Sequence, residues 1–284
     1  MRLRPSPVWL VLVGIVSVQL GAGFAKLLFD EVTPTMLVWL RLVFSALVLL
    51  AVARPHLRGR TRADWAVVLG FGASLGLMNL CIYQSFARIP LGIAVTIEFV
   101  GPLTLALLGS RRARDLVWVA LAAVGVLALG LERTALDPVG VAFAVLAGAA
   151  SACYILLSAR TGARWSGLGG LTTASLVAAV VLAPAALLSD AGALGSPHVL
   201  LVGLAVGLLS SVVPYSCELV ALRSLQPSVF GVLMSLEPAA AALVGIAVVG
   251  ESLAALQWLA VACVVVASAG ATRSRSRLPA AVAA

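Results

Sequence analysis

The sequence predicts an all-α integral membrane protein with ten transmembrane helices, and three observations support this. Of its 284 residues, 62% are hydrophobic and only 11% are charged. The apolar residues form long runs, and arginines fill the gaps between them. A water-soluble domain of this size could not cover its surface with so few charged residues. A soluble enzyme is therefore excluded, and no room remains for a folded domain outside the membrane.

Each predicted span has about 20 mainly apolar residues, the length that crosses a bilayer as a helix. The runs are too long and continuous for barrel strands. Capping residues before prolines, at Thr33-Pro34 and Asp137-Pro138, mark two helix starts. The first run resembles a signal peptide but continues to Leu28, past the usual length. The spans are about 8–28, 34–53, 64–86, 90–109, 114–131, 138–158, 168–188, 198–222, 227–249 and 253–271.

The arginines predict the orientation, because cytoplasmic loops of membrane proteins carry an excess of basic residues. With a cytoplasmic N-terminus, fifteen of the 19 basic residues fall inside, and Lys26, Arg88 and Arg133 fall outside. The protein is therefore expected in the cell (inner) membrane, with both termini on the cytoplasmic side. The basic composition is a topology signal and not a sign of nucleic-acid binding. The inside set is Arg2, Arg4, Arg54, Arg58, Arg60, Arg62, Arg111, Arg112, Arg114, Arg160, Arg164, Arg223, Arg273, Arg275 and Arg277.

An internal repeat divides the chain into two halves. An offset of 139 residues places Met78–Glu98 over Cys217–Glu237, with Glu98 on Glu237 and Gly92 on Gly231. Each half holds five predicted helices, an odd number, so the second half must be inverted relative to the first. We therefore predict a first repeat over 8–131, a second repeat over 138–271, and a cytoplasmic basic tail over 272–284.

Three groups of residues carry a resemblance to a known family. They are Gln19–Phe29, Ile89–Leu103, and Pro214–Leu222 with Gly231–Glu251. These strings resemble the bacterial threonine/homoserine exporters within the EamA-type drug/metabolite transporter superfamily. The resemblance implies a basket of ten helices in two inverted EamA repeats, which exports small amino acids in exchange for protons. It carries over functional positions onto Glu98, Pro102, Tyr215, Glu218, Glu237 and Pro238.

Charged groups inside predicted spans are the main candidate site residues, since each costs at least about 2.5–3.5 kcal/mol unless paired or hydrated. Glu98 and Glu237 lie near mid-depth and coincide at the repeat offset. Two carboxylates facing one cavity suit an ammonium group and a proton. Alternatively, each accepts hydrogen bonds from a neighbouring helix and stiffens the break before Pro102 or Pro238.

Glu218 follows Pro214, which is expected to kink its span, and its repeat partner is Asn79. It either lines a cavity or bonds a neighbouring helix. Arg41 could bind a substrate carboxylate with its guanidinium fork or neutralise Glu98 or Glu237 permanently.

The remaining candidates are weaker. Lys26 is expected to extend toward the membrane interface, and Glu251 to be solvated or to cap the tenth helix. Pro102, Pro214 and Pro238 are candidate hinges. The four cysteines show no metal-binding spacing, so no metal or cofactor is expected. Uncharged polar residues that suit either a wet cavity or packing between helices are Gln19, Gln84, Tyr215, Ser210 and Ser211.

These features favour a secondary transporter that exports small neutral amino acids, such as threonine and homoserine, by alternating access coupled to proton entry. No nucleotide-binding GxxxxGK[ST] string occurs, so a gradient must supply the energy. The alternative is an exporter of hydrophobic drugs or aromatic metabolites. A membrane-embedded enzyme is disfavoured because no HExxH string occurs and no aspartate lies in a span. Membrane lipid, substrate and protons are the expected partners; the sequence leaves the exact substrate and the oligomeric state open.

The topology predicts that the connector Arg54–Arg62 faces the cytoplasm. A Gly59→Cys variant should react with a membrane-impermeant thiol reagent in inverted vesicles and stay unreactive in intact cells. Labelling from outside intact cells would reverse the assigned orientation.

Overall fold

The structure, a computed structural model, is a bundle of α-helices. It describes residues 7–53, 55, 57–108, 116–129, 136–165, 167–222 and 224–276, and no strand occurs in these ranges. The helices are α1 (Pro7–Leu27), α2 (Pro34–Val52), α3 (Arg62–Phe86), α4 (Leu91–Leu108), α5 (Leu116–Ala128), α6 (Pro138–Arg164), α7 (Gly169–Asp190), α8 (Pro197–Gly207), α9 (Val213–Leu222), α10 (Pro227–Met234), α11 (Glu237–Val244) and α12 (Ala255–Ser276).

The helices follow the predicted apolar runs, with two runs interrupted. A π-helical segment, Leu208–Val212, joins α8 to α9 within the eighth predicted run. The ninth run is broken by a turn at Ser235–Leu236, between α10 and α11, and ends in a second π-helical segment, Gly245–Val249. In the described part of the chain, eight helical stretches are long and apolar enough to cross a membrane. Two others, Leu91–Leu105 and Leu116–Ala128, are apolar but shorter.

Some sequence predictions fall on residues outside the described ranges. The end of the predicted first repeat, at 131, is one of them. The predicted tail 272–284 is described only to 276, and there α12 continues as helix, so the tenth helix ends later than the predicted 271. Of the basic residues that carried the topology prediction, those outside are Arg2, Arg4, Arg54, Arg111, Arg112, Arg114, Arg133, Arg223 and Arg277.

The predicted helix starts are confirmed by their capping contacts. The Thr33 side chain accepts a hydrogen bond from the Met36 amide at 3.3 Å, and the Asp137 side chain accepts one from the Val139 amide at 2.9 Å. A side-chain oxygen at this position satisfies an amide that has no partner in the first turn. A proline follows each cap as the first helical residue, where its missing N–H is no loss.

One end of the bundle, here called the Lys26 side, gathers the end of α1 and the start of α4. The Lys26 ammonium lies 2.7 Å from the Glu251 carboxylate, in the α11–α12 connection. Glu251 also accepts a hydrogen bond at 3.0 Å from the amide of Leu91, the first residue of α4. The sequence predictions for both residues were therefore wrong. Lys26 binds a carboxylate instead of extending to the interface, and Glu251 caps α4 and not the tenth helix.

The opposite end, the Trp165 side, gathers the start of α3 and the end of α6. Arg164 donates a hydrogen bond to Asp64 at 3.1 Å. The Arg60 guanidinium lies 4.3 Å from the centre of the Trp165 ring, a cation–π contact. Because α3 runs unbroken from Arg62 to Phe86, this side lies a full helix length away from the Lys26 side.

Helices α4 and α6 cross with their backbones in close contact at mid-length. A methyl group added to Gly148 of α6 would lie 2.7 Å from the carbonyl oxygen of Glu98 in α4. Gly101, three residues later in α4, faces the Gly148 backbone across the same crossing. Only glycine permits this approach, which fixes the part of α4 that carries Glu98.

A side chain at this crossing should push the two helices apart. We expect Gly148→Val to destabilise the protein by about 1–3 kcal/mol through overpacking. The measurement is the temperature at which half of the detergent-solubilised protein has lost its fold, which should be lower in the variant. Gly162→Ala is the matched control, because a methyl group there meets no atom within 4 Å on the same helix. Equal heat resistance of the two variants would mean that the crossing does not constrain α4.

Candidate functional site

A cavity of about 510 Å³ lies in the middle of the bundle and extends toward the Trp165 side. Its walls include Glu218 near the end of α9, Phe230 near the start of α10 and Thr272 near the end of α12. Helix α8 begins beside Glu31 on the Lys26 side, so the run that it forms with α9 ends on the opposite side. Four charged residues line the cavity: Arg41, Glu98, Glu218 and Glu237.

Arg41 projects from α2 and is held from two directions. Its Nη1 donates to the Tyr83 hydroxyl at 3.4 Å, and its guanidinium carbon lies 5.6 Å from the centre of the Tyr83 ring. Its Nη2 donates to the carbonyl oxygen of Ser210 at 3.3 Å. Pro214 explains why this oxygen is available, since proline has no N–H to bond the carbonyl four residues earlier.

Arg41 makes no direct contact with an acid among the described residues; the sequence left open whether it pairs with an acid or binds substrate. Among the described residues, no ion pair within 4.0 Å joins Arg41 to a carboxylate. Its charge still interacts with that of Glu98 through the cavity. The guanidinium is therefore positioned by uncharged groups, and its Nε has no hydrogen-bond partner.

Glu98 and Glu237 reach the cavity from two helices that carry irregularities at these points. Pro102, inside α4, lacks the N–H that would bond the Glu98 carbonyl. Glu237 is the first residue of α11, after the turn that ends α10, and Pro238 follows it. The charges of Glu98 and Glu237 interact with each other. The repeat offset thus pairs two residues that meet in one cavity.

Gln19 connects α1 to this group. Its Nε2 donates to Glu237 Oε1 at 3.2 Å, and its side chain is almost wholly buried. Glu237 lies in the first turn of α11, so this contact joins α1 to the start of that helix. Broken helices whose ends face a central site are common in transporters.

Three buried polar atoms on the cavity wall have no hydrogen-bond partner: Gln19 Oε1, Arg41 Nε and Ser210 Oγ. Buried polar atoms without partners are rare, and each needs an explanation. The three atoms are chemically distinct, because the amide oxygen can only accept, the guanidinium can only donate, and the hydroxyl can do both. Together with the Glu237 carboxylate they can satisfy a small molecule that carries both an anionic and a cationic group.

The other predicted site residues divide between the cavity and its surroundings. Asn79 lines the cavity and donates to the Leu75 carbonyl at 2.8 Å. Ser211 faces away and accepts a hydrogen bond from Ser45 at 2.9 Å, which is a packing contact between helices. The side chain of Tyr215 lies outside those that the structure describes.

The sequence left two roles open for Gln84, lining a wet cavity or packing between helices, and its position fits the second. Its amide donates to Thr35 Oγ1 at 2.9 Å and its oxygen accepts from Arg88 Nη1 at 2.8 Å, both near the Lys26 side. Gln84 is absent from the cavity wall formed by the described residues. It instead joins the end of α3 to the start of α2.

The candidate hinges lie beside the irregular helix segments. Pro102 interrupts α4, Pro214 follows the π-helical segment, and Pro238 follows the turn between α10 and α11. Pro102 and Pro214 also contact the cavity. A π-helical insertion is frequently found at functional positions.

Two features of the site were missed by the sequence reasoning. Tyr83 is fully buried and positions Arg41, and its place one helical turn after Asn79 puts both on one face of α3. Four aromatic residues also line the cavity, although aromatic residues make up only 6% of the chain: Phe86, Phe99, Tyr154 and Phe230.

Comparisons with known proteins identify the family of this chain. The model of the EamA-like transporter family matches residues 138–273. The threonine/homoserine exporter RhtA of Salmonella typhimurium is 41% identical over 97% of this chain and 96% of its own length. The exporter of the same name from Escherichia coli is 42% identical over 95% of this chain and 94% of its own length.

The fold has also been observed by crystallography. One crystal structure superposes with a TM-score of 0.63, covering 96% of this chain and 99% of that chain at 19% identity. This likeness concerns the fold alone. The identity to the two exporters extends over nearly the full length of both proteins, and these relatives are transporters and not enzymes. The chain is therefore a multi-pass membrane protein that belongs to the EamA-like transporter family.

Proposed function

We propose that this protein is a secondary transporter that exports small neutral amino acids of the threonine and homoserine type from the cytoplasm. The observation that carries the proposal is a mid-bundle cavity whose wall includes one guanidinium, three glutamates and residues with unpartnered polar atoms of both kinds. The two curated relatives are named for export of threonine and homoserine. A zwitterion needs both a cationic and an anionic contact, and the cavity offers both.

The proposed arrangement is ten membrane-spanning helices in two inverted repeats of five, with both termini in the cytoplasm. Eight long apolar helices and two shorter ones are consistent with this number. The Trp165 side carries Arg60 and Arg164, which fall in the predicted cytoplasmic set. The positive-inside rule then makes the Trp165 side cytoplasmic and the Lys26 side external.

Arg41 and Ser210 form the proposed carboxylate site. A bound carboxylate would accept hydrogen bonds from Arg41 Nε and Ser210 Oγ, the two unpartnered donors of the wall. The ammonium group would then donate to Gln19 Oε1 and Glu237, which lie together on the α1 and α11 wall. In this mode Arg41, Glu237 and the three unpartnered atoms would each gain a partner, and a zwitterion would supply both the anionic and the cationic group that they need.

Proton coupling is assigned to the cavity carboxylates. A carboxyl group in an apolar, partly dehydrated cavity exchanges its proton more readily near neutral pH than one in water. One proton entering the cell gains about 2.3 kcal/mol per 100 mV, which corresponds to roughly 40-fold accumulation of a neutral substrate outside. The prolines and π-helical segment around the cavity supply the places where helices can bend during alternating access.

Export of hydrophobic drugs or aromatic metabolites is the second candidate, and the four aromatic residues of the wall favour it. A hydrophobic substrate that lacks a carboxylate offers no anionic group to Arg41. The two functions therefore differ in what they require of the guanidinium.

Arg41→Lys tests the carboxylate contact. Lysine keeps the positive charge but loses the fork of donors, so we expect the KM for threonine to rise about tenfold or more, as for loss of a hydrogen bond to a charged group. Initial rates of labelled threonine uptake into inverted vesicles measure it.

The matched control for this variant is Arg88→Lys, since Arg88 lies on the Lys26 side and outside the cavity wall. We expect it to retain the parent KM. An unchanged KM in Arg41→Lys, or transport of hydrophobic drugs without any threonine transport, would favour the second candidate.

Glu98→Gln and Glu237→Gln test proton coupling. Glutamine keeps the shape and most hydrogen bonds but cannot titrate, so each variant should reach the membrane normally and lose gradient-driven export. Export by the parent should accelerate as external pH is lowered at constant internal pH, because a lower external pH steepens the inward proton gradient. Neither variant should respond to external pH.

The readout for coupling is efflux of labelled threonine from loaded cells at a series of external pH values. Ser211→Ala serves as the control, since Ser211 contacts Ser45 outside the cavity. Parent-like export by both glutamine variants at every pH would assign Glu98 and Glu237 to structure and leave Glu218 as the candidate proton carrier.

A further inference from the structure

A second group of charged residues closes the bundle on the side away from the cavity opening. Lys26 and Glu251 form an ion pair at 2.7 Å, and their side chains are only 17% and 10% exposed. Lys26 also donates to the carbonyl oxygen of Ile89 at 2.8 Å. Both Glu251 oxygens accept from the amide of Leu91, at 3.1 and 3.0 Å. Besides contacting each other, Lys26 and Glu251 thus both bond to the backbone at the start of α4.

The pair ties together the elements that carry the substrate contacts. Lys26 lies at the end of α1, which holds Gln19, and Leu91 begins α4, which holds Glu98. Glu251 follows the π-helical segment that extends α11, at whose other end Glu237 lies. Gly250 permits the sharp reversal that directs Glu251 back toward α4, since its φ of +78° is a conformation favoured by glycine.

The cavity and the pair are at different depths of the same helices. On α1, the cavity wall ends at Ala22, one helical turn before Lys26, and Ala22 is buried. On α4, the wall begins at Val95, one turn after Leu91. The cavity extends from there toward the Trp165 side, where Glu218 and Thr272 lie close to helix ends. The described structure is thus closed at the Lys26 side of the cavity.

We propose that the Lys26–Glu251 ion pair is the external gate of the transporter, and that it closes the cavity to the outside while the cavity faces the cytoplasm. This inference rests on the proposed orientation of the two sides. Breaking the pair removes the polar connection between α1, α4 and the end of α11 and leaves only their side-by-side packing, such as that of Gly92 against Ala242. The three helices can then separate at their external ends and admit water to the cavity.

The physical properties of the pair suit a reversible gate. For a partly buried ion pair, the attraction between the charges is largely offset by the loss of their hydration. When the gate opens, water regains access to both groups, so neither charge is left buried without a partner. The other ion pairs on this side, Glu31–His198 and Arg88–Asp137, are each 3.9 Å long and more exposed. They have the character of surface pairs, which contribute little.

A cysteine reporter just behind the gate tests this inference. Ala22→Cys is introduced after Cys81, Cys153, Cys217 and Cys263 are replaced by alanine, and a membrane-impermeant thiol reagent is added outside intact cells. With the parent pair, labelling should be slow. Glu251→Gln and Lys26→Met should each accelerate it about tenfold, which corresponds to a shift of about 1.4 kcal/mol toward the externally open state.

Glu31→Gln is the matched control, because it removes a carboxylate from the same side of the bundle without touching the gate. It should label at the parent rate. The amount of each variant in the membrane is measured in parallel, and if Glu251→Gln fails to reach the membrane, Lys26→Met decides the result. If the gate variants that reach the membrane are labelled at the parent rate, the proposal that this ion pair is a gate is wrong.

The experiment is independent of the substrate, because labelling is measured without any amino acid. Accelerated labelling from outside supports the gate even if threonine transport is never observed, a result that would contradict only the proposed function. Acceleration confined to inverted vesicles would place the Lys26 side in the cytoplasm and overturn the assignment of an external gate.

Discussion

A charged side chain inside a bilayer is stable only when it is paired or hydrated, and this constraint organises the interior of the protein. Arg41, Glu98, Glu218 and Glu237 come from four different helices and all line the same cavity. No one of them is sealed in an apolar contact. The cavity is therefore the place where hydration can reduce the cost of these charges, because three of the four are carboxylates and only Arg41 carries the opposite sign. The proposed zwitterionic substrate would supply the charges of opposite sign that the wall lacks.

Irregular helix geometry is what makes this arrangement possible. A regular helix bonds all of its carbonyl groups internally and presents only side chains. Pro214 has no N–H to bond the Ser210 carbonyl, which instead accepts a hydrogen bond from Arg41. Pro102 likewise leaves the Glu98 carbonyl without its helical partner, at the crossing with Gly148. The break between α10 and α11 places Glu237 at a helix start. Glu98 and Glu237 thus lie beside irregular backbone, whereas Arg41 lies on the regular helix α2 and bonds a carbonyl group of an irregular segment.

The sequence predicted the helices well, because the length and apolar composition of a run are local properties of the sequence. It also predicted that Glu98 and Glu237 belong together, since the repeat offset records a relation between distant positions. It could not predict the ion pair of Lys26 with Glu251 or the contact of Gln84 with Thr35. These depend on which helix ends meet in space, and no local pattern encodes that. Arg41 illustrates the limit most clearly, because its partners are a buried phenol and a carbonyl released by a proline on a distant helix.

The ion pair at the Lys26 side extends the same constraint to the motion of the protein. In a partly buried ion pair, the attraction between the charges nearly cancels the cost of removing them from water. The paired and the separated states therefore differ little in free energy. The pair joins α1, α4 and the end of α11, whose side chains also line the cavity, so the proposed gate and the proposed binding site share the same helices.

The central claim is that one cavity binds a zwitterionic amino acid and exchanges it for a proton. The most direct test is to reconstitute the purified protein in proteoliposomes loaded with threonine and a pH-sensitive dye, and to record the internal pH when external threonine is removed. The account predicts that threonine efflux acidifies the interior, because protons enter as threonine leaves. It also predicts that the signal disappears in the Glu98→Gln/Glu237→Gln double variant. Threonine efflux with no change of internal pH, or with the same change in the double variant, would contradict the account.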